Sequence, residues 1–279
     1  CPVPSLLLFA AGFKSVGGGW VSLDSGGEVM IYNGKLIKNS EGISPQSTIM
    51  FCFPYAGGGA AFYAKWIQYF DKKLSVCPIQ LPGREERIGE KPYLNMQSLV
   101  KDVVDAIMRF DNDFILFGHS MGGKIAFEVE KMLENNKRVA KLAIFSGSRV
   151  PHIPEPQPIS HLTEQEFLIG LERYDGIPEE IKMDKRLLNF YMPIIRSDFI
   201  LDESYYPDAP SKLICPVLAI GGNEDREATL ADIKRWSEYT QSKFQYYLFR
   251  GGHFFIKEDE ENVLKLIHQK SEEFINREN

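Results

Sequence analysis

The chain has 279 residues, enough for one large α/β domain or two modest ones. With 44% hydrophobic and 25% charged residues it has the composition of a globular protein with a sizeable core. A formal net charge of −6 argues against non-specific nucleic-acid binding, and no apolar run approaches the ~20 residues of a membrane span.

Cysteines stand at positions 1, 52, 77 and 215, the last three inside the apolar runs I-M-F-C-F-P, S-V-C-P-I and L-I-C-P-V. Such cysteines are expected as buried free thiols rather than disulfides, and none has zinc-ligand spacing, so no metal is expected. A reducing cytoplasm suits that usage. The chain starts at Cys1, and P-V-P-S-L-L-L-F-A-A-G-F lacks the basic residues that open a signal peptide. It is read as a truncated or fused start. Residues 1–45 are rich in Gly and Ser and form an N-terminal extension of unknown role. Asn33-Gly34 between two β-prone runs predicts a hairpin there, because a two-residue type I′ turn needs positive φ twice.

From Thr48 the pattern alternates. T-I-M-F-C-F-P predicts a buried strand, A-F-Y-A-K-W-I-Q-Y-F a helix, and L-S-V-C-P-I-Q a second strand. M-Q-S-L-V-K-D-V-V-D-A-I-M-R-F predicts an amphipathic helix, then D-F-I-L-F-G a strand. M-G-G-K-I-A-F-E-V-E-K-M-L-E-N-N follows as a helix whose Ile125, Val129, Met132 and Leu133 share a face, and V-A-K-L-A-I-F-S-G as a strand. Residues 148–210 interrupt the rhythm with eight prolines and short helical stretches such as T-E-Q-E-F-L-I-G-L and K-R-L-L-N-F-Y-M. This predicts a helical insertion between two strands. Strand S-K-L-I-C-P-V-L-A-I-G-G, helix T-L-A-D-I-K-R-W-S-E-Y, strand K-F-Q-Y-Y-L-F and helix E-N-V-L-K-L-I-H-Q-K-S-E-E-F-I complete the domain over residues 46–279. Uniformly apolar strands alternating with helices imply a mostly parallel sheet covered on both faces.

G-H-S-M-G at 118–122 joins a strand to a helix. In that setting Ser120 occupies a sharp turn that exposes its hydroxyl, the nucleophile elbow of the α/β-hydrolase fold. A serine hydroxyl needs a base, and the base an orienting acid, in the chain order Ser, Asp or Glu, His. Among His119, His152, His161, His253 and His268, only His253 follows a late strand in a glycine-bracketed loop, F-R-G-G-H-F-F-I. It is the expected base. Asp225 and Glu224, in G-G-N-E-D after a strand, both qualify as the acid, with Asp225 preferred and Asp198 a weaker candidate in the insertion. The oxyanion is expected to meet the backbone N–H of Met121 and that of Ala56 in F-P-Y-A-G-G-G-A. No Lys-Ser or Lys-Thr follows that glycine run, so it is not a phosphate loop.

Several stretches together resemble the type II thioesterases that accompany nonribosomal peptide and polyketide synthases. They are F-P-Y-A-G-G at 53–58, L-P-G-R-E-E-R-I-G-E-K-P at 81–92, F-G-H-S-M-G at 117–122, S-G-S-R-V-P-H at 146–152, R-S-D-F at 196–199, G-G-N-E-D at 221–225 and G-G-H-F-F-I at 251–256. The resemblance implies Ser120, Asp225 and His253 as the triad, the insertion as a lid, and no metal or redox cofactor. It also implies a substrate, acyl groups carried on the 4′-phosphopantetheine of acyl or peptidyl carrier protein domains. A monomer with no nucleic-acid or membrane partner is expected. Where the family often has Pro after the acid, this chain has Arg226, and Gly123 stands where Ala is common. Arg84 and Arg87 are expected to pair with acids that brace the site, and Arg196 with Asp198 to anchor the lid. A general carboxylesterase or lipase, or a non-catalytic carrier-binding protein of the same fold, are the rival readings.

Overall fold

The protein is seen in a computed structural model that describes residues 36–70, 73–174, 183–207 and 211–276. The expected hairpin at Asn33-Gly34 lies outside these residues.

Each apolar run becomes a strand. β1 is Thr48–Phe53, followed by a 3-10 turn and α1 (Ala64–Tyr69), then β2 (Leu74–Pro78) and α2 (Met96–Ile107). β3 (Phe114–His119) runs into α3 (Met121–Asn135), and β4 (Leu142–Ser146) precedes the insertion, which holds α4 (Glu164–Leu171) and α5 (Lys185–Glu203). β5 (Val217–Gly222), α6 (Leu230–Arg235), β6 (Phe244–Phe249), α7 (Phe255–Glu258) and α8 (Glu260–Ile275) close the chain. The sheet order is β2-β1-β3-β4-β5-β6, and every neighbouring pair is parallel. β1, β3, β4 and β5 are buried along their whole length because helices cover both faces, which is why they read as unbroken apolar runs.

Strand residues alternate between two cores. Phe51, Phe53, Leu116, Phe145 and Ala219 face α2 and α3, whose Leu99, Val103, Ile125, Val129 and Leu133 are fully buried. Met50, Cys52, Ile115, Phe117, Ile144 and Leu218 face Trp66 of α1 and Val263 and Ile267 of α8. Cys52, Cys77 and Cys215 are buried free thiols, as expected. Among the described residues no helix is long and apolar enough to cross a membrane.

Two features depart from the sequence reading. Leu36 and Ile37 of the N-terminal segment are buried, and Ile37 bridges Ile79 in antiparallel fashion, so packing against the sheet begins before residue 46. In the insertion, the helix expected over 185–192 continues through Pro193 to Glu203. A proline forfeits one helical N–H bond, but Met192, Ile194, Asp198, Phe199 and Leu201 are all buried on this helix. Met192 and Phe199 join Ile159, Phe167 and Leu171 in a small separate core under the insertion. That burial outweighs one lost bond.

Candidate active site

Ser120 caps α3 at φ 55°, ψ −123°, a conformation that L residues seldom hold without support. The support is backbone: Ser120 N–H donates to the Ser146 carbonyl at 2.8 Å, and the Ser120 carbonyl accepts from Gly123 N–H at 2.9 Å. The glycines of G-x-S-x-G are required by close approach. A Cβ at Gly118 would lie 2.1 Å from the Gly122 carbonyl oxygen, and one at Gly122 would lie 2.4 Å from that of Phe53. β1, β3 and α3 therefore meet backbone to backbone beneath the serine.

The late loops bring the other two residues to it. His253 Nε2 stands 3.0 Å from Ser120 Oγ, and its Nδ1 stands 3.0 Å from Asp225 Oδ2. A carboxylate at Nδ1 places the proton there and leaves Nε2 as the acceptor facing the hydroxyl. The other carboxylate oxygen of Asp225 accepts from Glu227 N–H (2.8 Å) and Ala228 N–H (3.1 Å), so the acid is fixed by its own loop. Asp225 and His253 are both buried, whereas Glu224 is exposed. Of the two acids open to the sequence, the structure brings Asp225 to the imidazole. Asp198, the third, is elsewhere, as described below.

His119 packs against His253, with ring centroids 5.2 Å apart, but is engaged elsewhere, as are His152 and His268. His119 is fully buried, with Nδ1 2.9 Å from Ser146 Oγ, and burial chiefly, then the charges at His253 and Lys257, hold its pKa well below the ordinary imidazole value. His152 is paired with the Tyr239 hydroxyl, His161 is exposed, and His268 packs against Tyr69 and Phe70.

A cleft opens at Ser120. Ala56, Met121 and His253 line it beside the serine, so both expected oxyanion donors flank the same space. Met121 is the first residue of α3, where an N–H has no partner within the helix. Phe199 of α5 and Tyr174, whose ring lies 5.6 Å from that of His253, close the cleft from the insertion. Its far wall carries charge, which the sequence reading missed. Lys124 Nζ pairs with Asp202 Oδ2 at 3.0 Å, Arg149 pairs with Glu155, and Arg173 reaches Glu155 at 3.1 Å. Burial chiefly raises the Glu227 carboxyl above its usual range while Arg173 pulls it back down. Lys124 was legible in principle, because it stands one helical turn after Ser120 and shares its side of α3. The residues from the insertion were not.

The expected Arg196–Asp198 pair is not formed. Two residues apart on a helix point to opposite sides, and α5 continues through both. Asp198 instead accepts a two-pronged bond from Arg84, at 2.6 and 2.7 Å. Arg196 donates to the Ser160 and Leu162 carbonyls (2.6 and 2.7 Å) and lies over the Phe167 ring. Arg84 thus finds an acid, as expected, and Arg87 pairs with Glu90 at 2.6 Å.

Comparison with known proteins gives the family of the chain. The linear gramicidin dehydrogenase LgrE of Brevibacillus parabrevis is 33% identical over 244 residues, 84% of this chain and 93% of that protein. The gramicidin S biosynthesis protein GrsT of Aneurinibacillus migulanus is 34% identical over 221 residues, 78% of this chain and 86% of that protein. The solved structure of the type II thioesterase BorB, from the borrelidin biosynthetic cluster, superposes with a TM-score of 0.77 at 28% identity, covering 86% of this chain and 99% of that one. Its fold is the expected α/β-hydrolase fold. The thioesterase domain family matches residues 48–271, from the first strand of the sheet into its last helix, and the chain belongs to that family.

Proposed function

We propose that this protein is an editing type II thioesterase that uses Ser120, His253 and Asp225 to hydrolyse acyl groups from the phosphopantetheine arm of carrier proteins. The observation that carries the reading is the unbroken chain Asp225–His253–Ser120, ending in a cleft flanked by Ala56 and Met121. His253 Nε2 takes the Ser120 proton as Oγ attacks the thioester carbonyl carbon. The resulting oxyanion is met by the N–H groups of Met121 and Ala56, a contribution of ~3 kcal/mol per donor in comparable sites. The imidazolium, stabilised by Asp225, returns the proton to the departing thiol. Water then enters, gives its proton to His253 and attacks the acyl-enzyme, releasing the acid and restoring Ser120. Every step is carried by protein groups and water, with no cofactor.

The relatives and structural neighbour named above belong to peptide and polyketide pathways, which supports a carrier-bound substrate. The dehydrogenase name borne by LgrE is not carried over. A dinucleotide fingerprint needs G-x-G-x-x-G after a strand, and here the loop after β1 reads A-G-G-G-A-A-F, with Phe62 at the third glycine's place.

The test loads an acyl group onto a phosphopantetheinylated carrier and follows its release. Ser120→Ala is expected to lower kcat by about 10⁶-fold, the scale seen when a triad serine is removed. Full activity in that variant would refute the proposal. A simple oxygen ester turned over as fast as the carrier thioester would instead favour a general esterase.

A further inference from the structure

The Arg84–Asp198 pair reaches the oxyanion loop. In F-P-Y-A-G-G-G-A, the Tyr55 carbonyl accepts from Gly58 N–H at 2.8 Å, and Gly57 has φ +77°. That is a type II turn with Ala56 and Gly57 at its centre. Type I and type II turns differ by rotation of the central peptide, here the one joining Ala56 to Gly57. The N–H of this peptide donates to Asp198 Oδ2 at 2.7 Å. The carboxylate is held in turn by both Nη atoms of Arg84, and Arg84 Nη1 also donates to the Gly58 carbonyl at 2.9 Å. Asp198 and Arg84 are 2% and 5% exposed, so water cannot replace these bonds while the helix is in place. Ile195, one turn before Asp198 on α5, packs on the same turn: a Cβ on Gly57 would lie 3.0 Å from its Cγ1.

The partners of the turn therefore come from two places. Arg84 belongs to the loop after β2, fixed to the sheet. Asp198 and Ile195 belong to α5, in the lid. We infer that Asp198 is a positioning residue for the oxyanion hole, and that the hole is complete only when the lid helix is seated. The inference rests on the thioesterase reading and on Ala56 as a donor. The Ala56 N–H lies on the preceding peptide, so Asp198 acts on it through the shape of the turn: with α5 withdrawn, the turn loses the acceptor of its central peptide and the Ile195 contact, and Arg84 is left without its counter-charge. Lid position then governs the chemical step as well as access, and an open enzyme holds Ser120 and His253 with only the Met121 donor in place. A plain lid anchor predicts something else: the same pair would set stability and acyl access but leave kcat alone.

The two accounts separate in the double variant Arg84→Met/Asp198→Leu. Replacing both partners with apolar side chains strands no buried charge, and such replacements are often neutral or stabilising. Melting temperature, kcat and KM are measured with acetyl and octanoyl thioesters on one carrier. We expect a melting temperature within a few degrees of wild type, KM within about threefold, and kcat lowered about 10²-fold or more for both acyl lengths, as for loss of an oxyanion donor. A folded double variant with kcat within threefold of wild type overturns the inference. Should that variant not fold, Asp198→Asn keeps the size of the side chain but faces Arg84 with an amide. Its affinity for an acyl trifluoromethyl ketone, which forms an oxyanion on Ser120, should fall in step with kcat/KM, and unchanged affinity overturns the proposal equally. Wild-type protein inert toward both thioesters would refute the thioesterase reading itself.

Discussion

The elbow and the lid both line the cleft, yet they are held by different kinds of contact. Beneath Ser120 the contacts are backbone on backbone, between β1, β3 and α3, at distances that only glycine allows at 118 and 122. The insertion is held to the rest of the chain by side chains, Asp198 to Arg84 and Asp202 to Lys124, and within itself by Glu203, which accepts from the N–H groups of Ile159 and Ser160 at 2.8 and 2.9 Å. The first kind of contact fixes geometry and tolerates almost no substitution. The second can be broken and remade as a unit, which is what the proposed role of the insertion as a lid would require.

The comparison can be broken at its strongest point, the proposed triad. Asp225→Asn keeps the loop bonds from Glu227 and Ala228 but presents an amide to His253, favouring the wrong tautomer. A loss of about 10⁴-fold in kcat is expected, as for an equivalent change in a serine protease triad, while Glu224→Gln should leave kcat unchanged. Equal losses in the two would place the acid wrongly. Gly122→Ala tests the elbow's backbone contact. Its Cβ would meet the Phe53 carbonyl at 2.4 Å and push α3 from β1. A displacement of about 1 Å can cost about 10²-fold in rate, so kcat should fall by that order with KM little changed.

How much of this was legible follows from the same distinction. Glycine at fixed offsets around a serine is a demand written in adjacent residues, so the elbow, its strand and its helix could be read directly. His253 was legible from chain order and from its place after a late strand. Asp225 and Glu224 could not be separated by position, because one loop holds both. What separates them is that Asp225 accepts two N–H groups of its own loop and is buried there, while Glu224 points to solvent. The lid was misread for a connected reason. The helical stretch read from the sequence, K-R-L-L-N-F-Y-M, ends at Met192 and leaves Arg196 and Asp198 outside it, where a pair between them meets no helical constraint. A helix continuing to Glu203 sets them on opposite sides. The partner of Asp198 lies 114 residues away, beyond any local pattern.

A contact of the insertion that does not reach the oxyanion loop should give a smaller effect than the elbow contacts. Glu203→Gln weakens two charge-assisted bonds to the loop before α4, a loss of about 1.5–3 kcal/mol at most. A lower melting temperature and a raised KM for long acyl groups are expected, with kcat for a short acyl group within about twofold. A large fall in kcat for the short substrate would show that the loop at 159–160, and not only Asp198, sets the site.

The smallest effect on catalysis should come from a buried acid on the elbow helix itself, far from the chemistry. Glu130 of α3 is fully buried, and although it accepts from Ala140 N–H at 2.8 Å, burial pushes its carboxyl up to about 8. In the unfolded chain a glutamate ionises near ~4.3. Between these two values the folded state holds a proton that the unfolded state has lost. Stability from this group is thus complete below ~4.3, falls as pH rises toward the folded value of about 8, and levels off above it. Glu130→Gln cannot ionise, so its stability relative to wild type should increase steadily across that window. Urea unfolding of both proteins at pH 4, 6 and 9 measures the difference, and a constant difference would mean that Glu130 ionises in the fold at the same pH as in the unfolded chain. Thioester hydrolysis at pH 7 should be the same in both. If it is, the strictness of the elbow is confined to the first turn of α3, where backbone meets backbone, and does not extend along the helix that carries it.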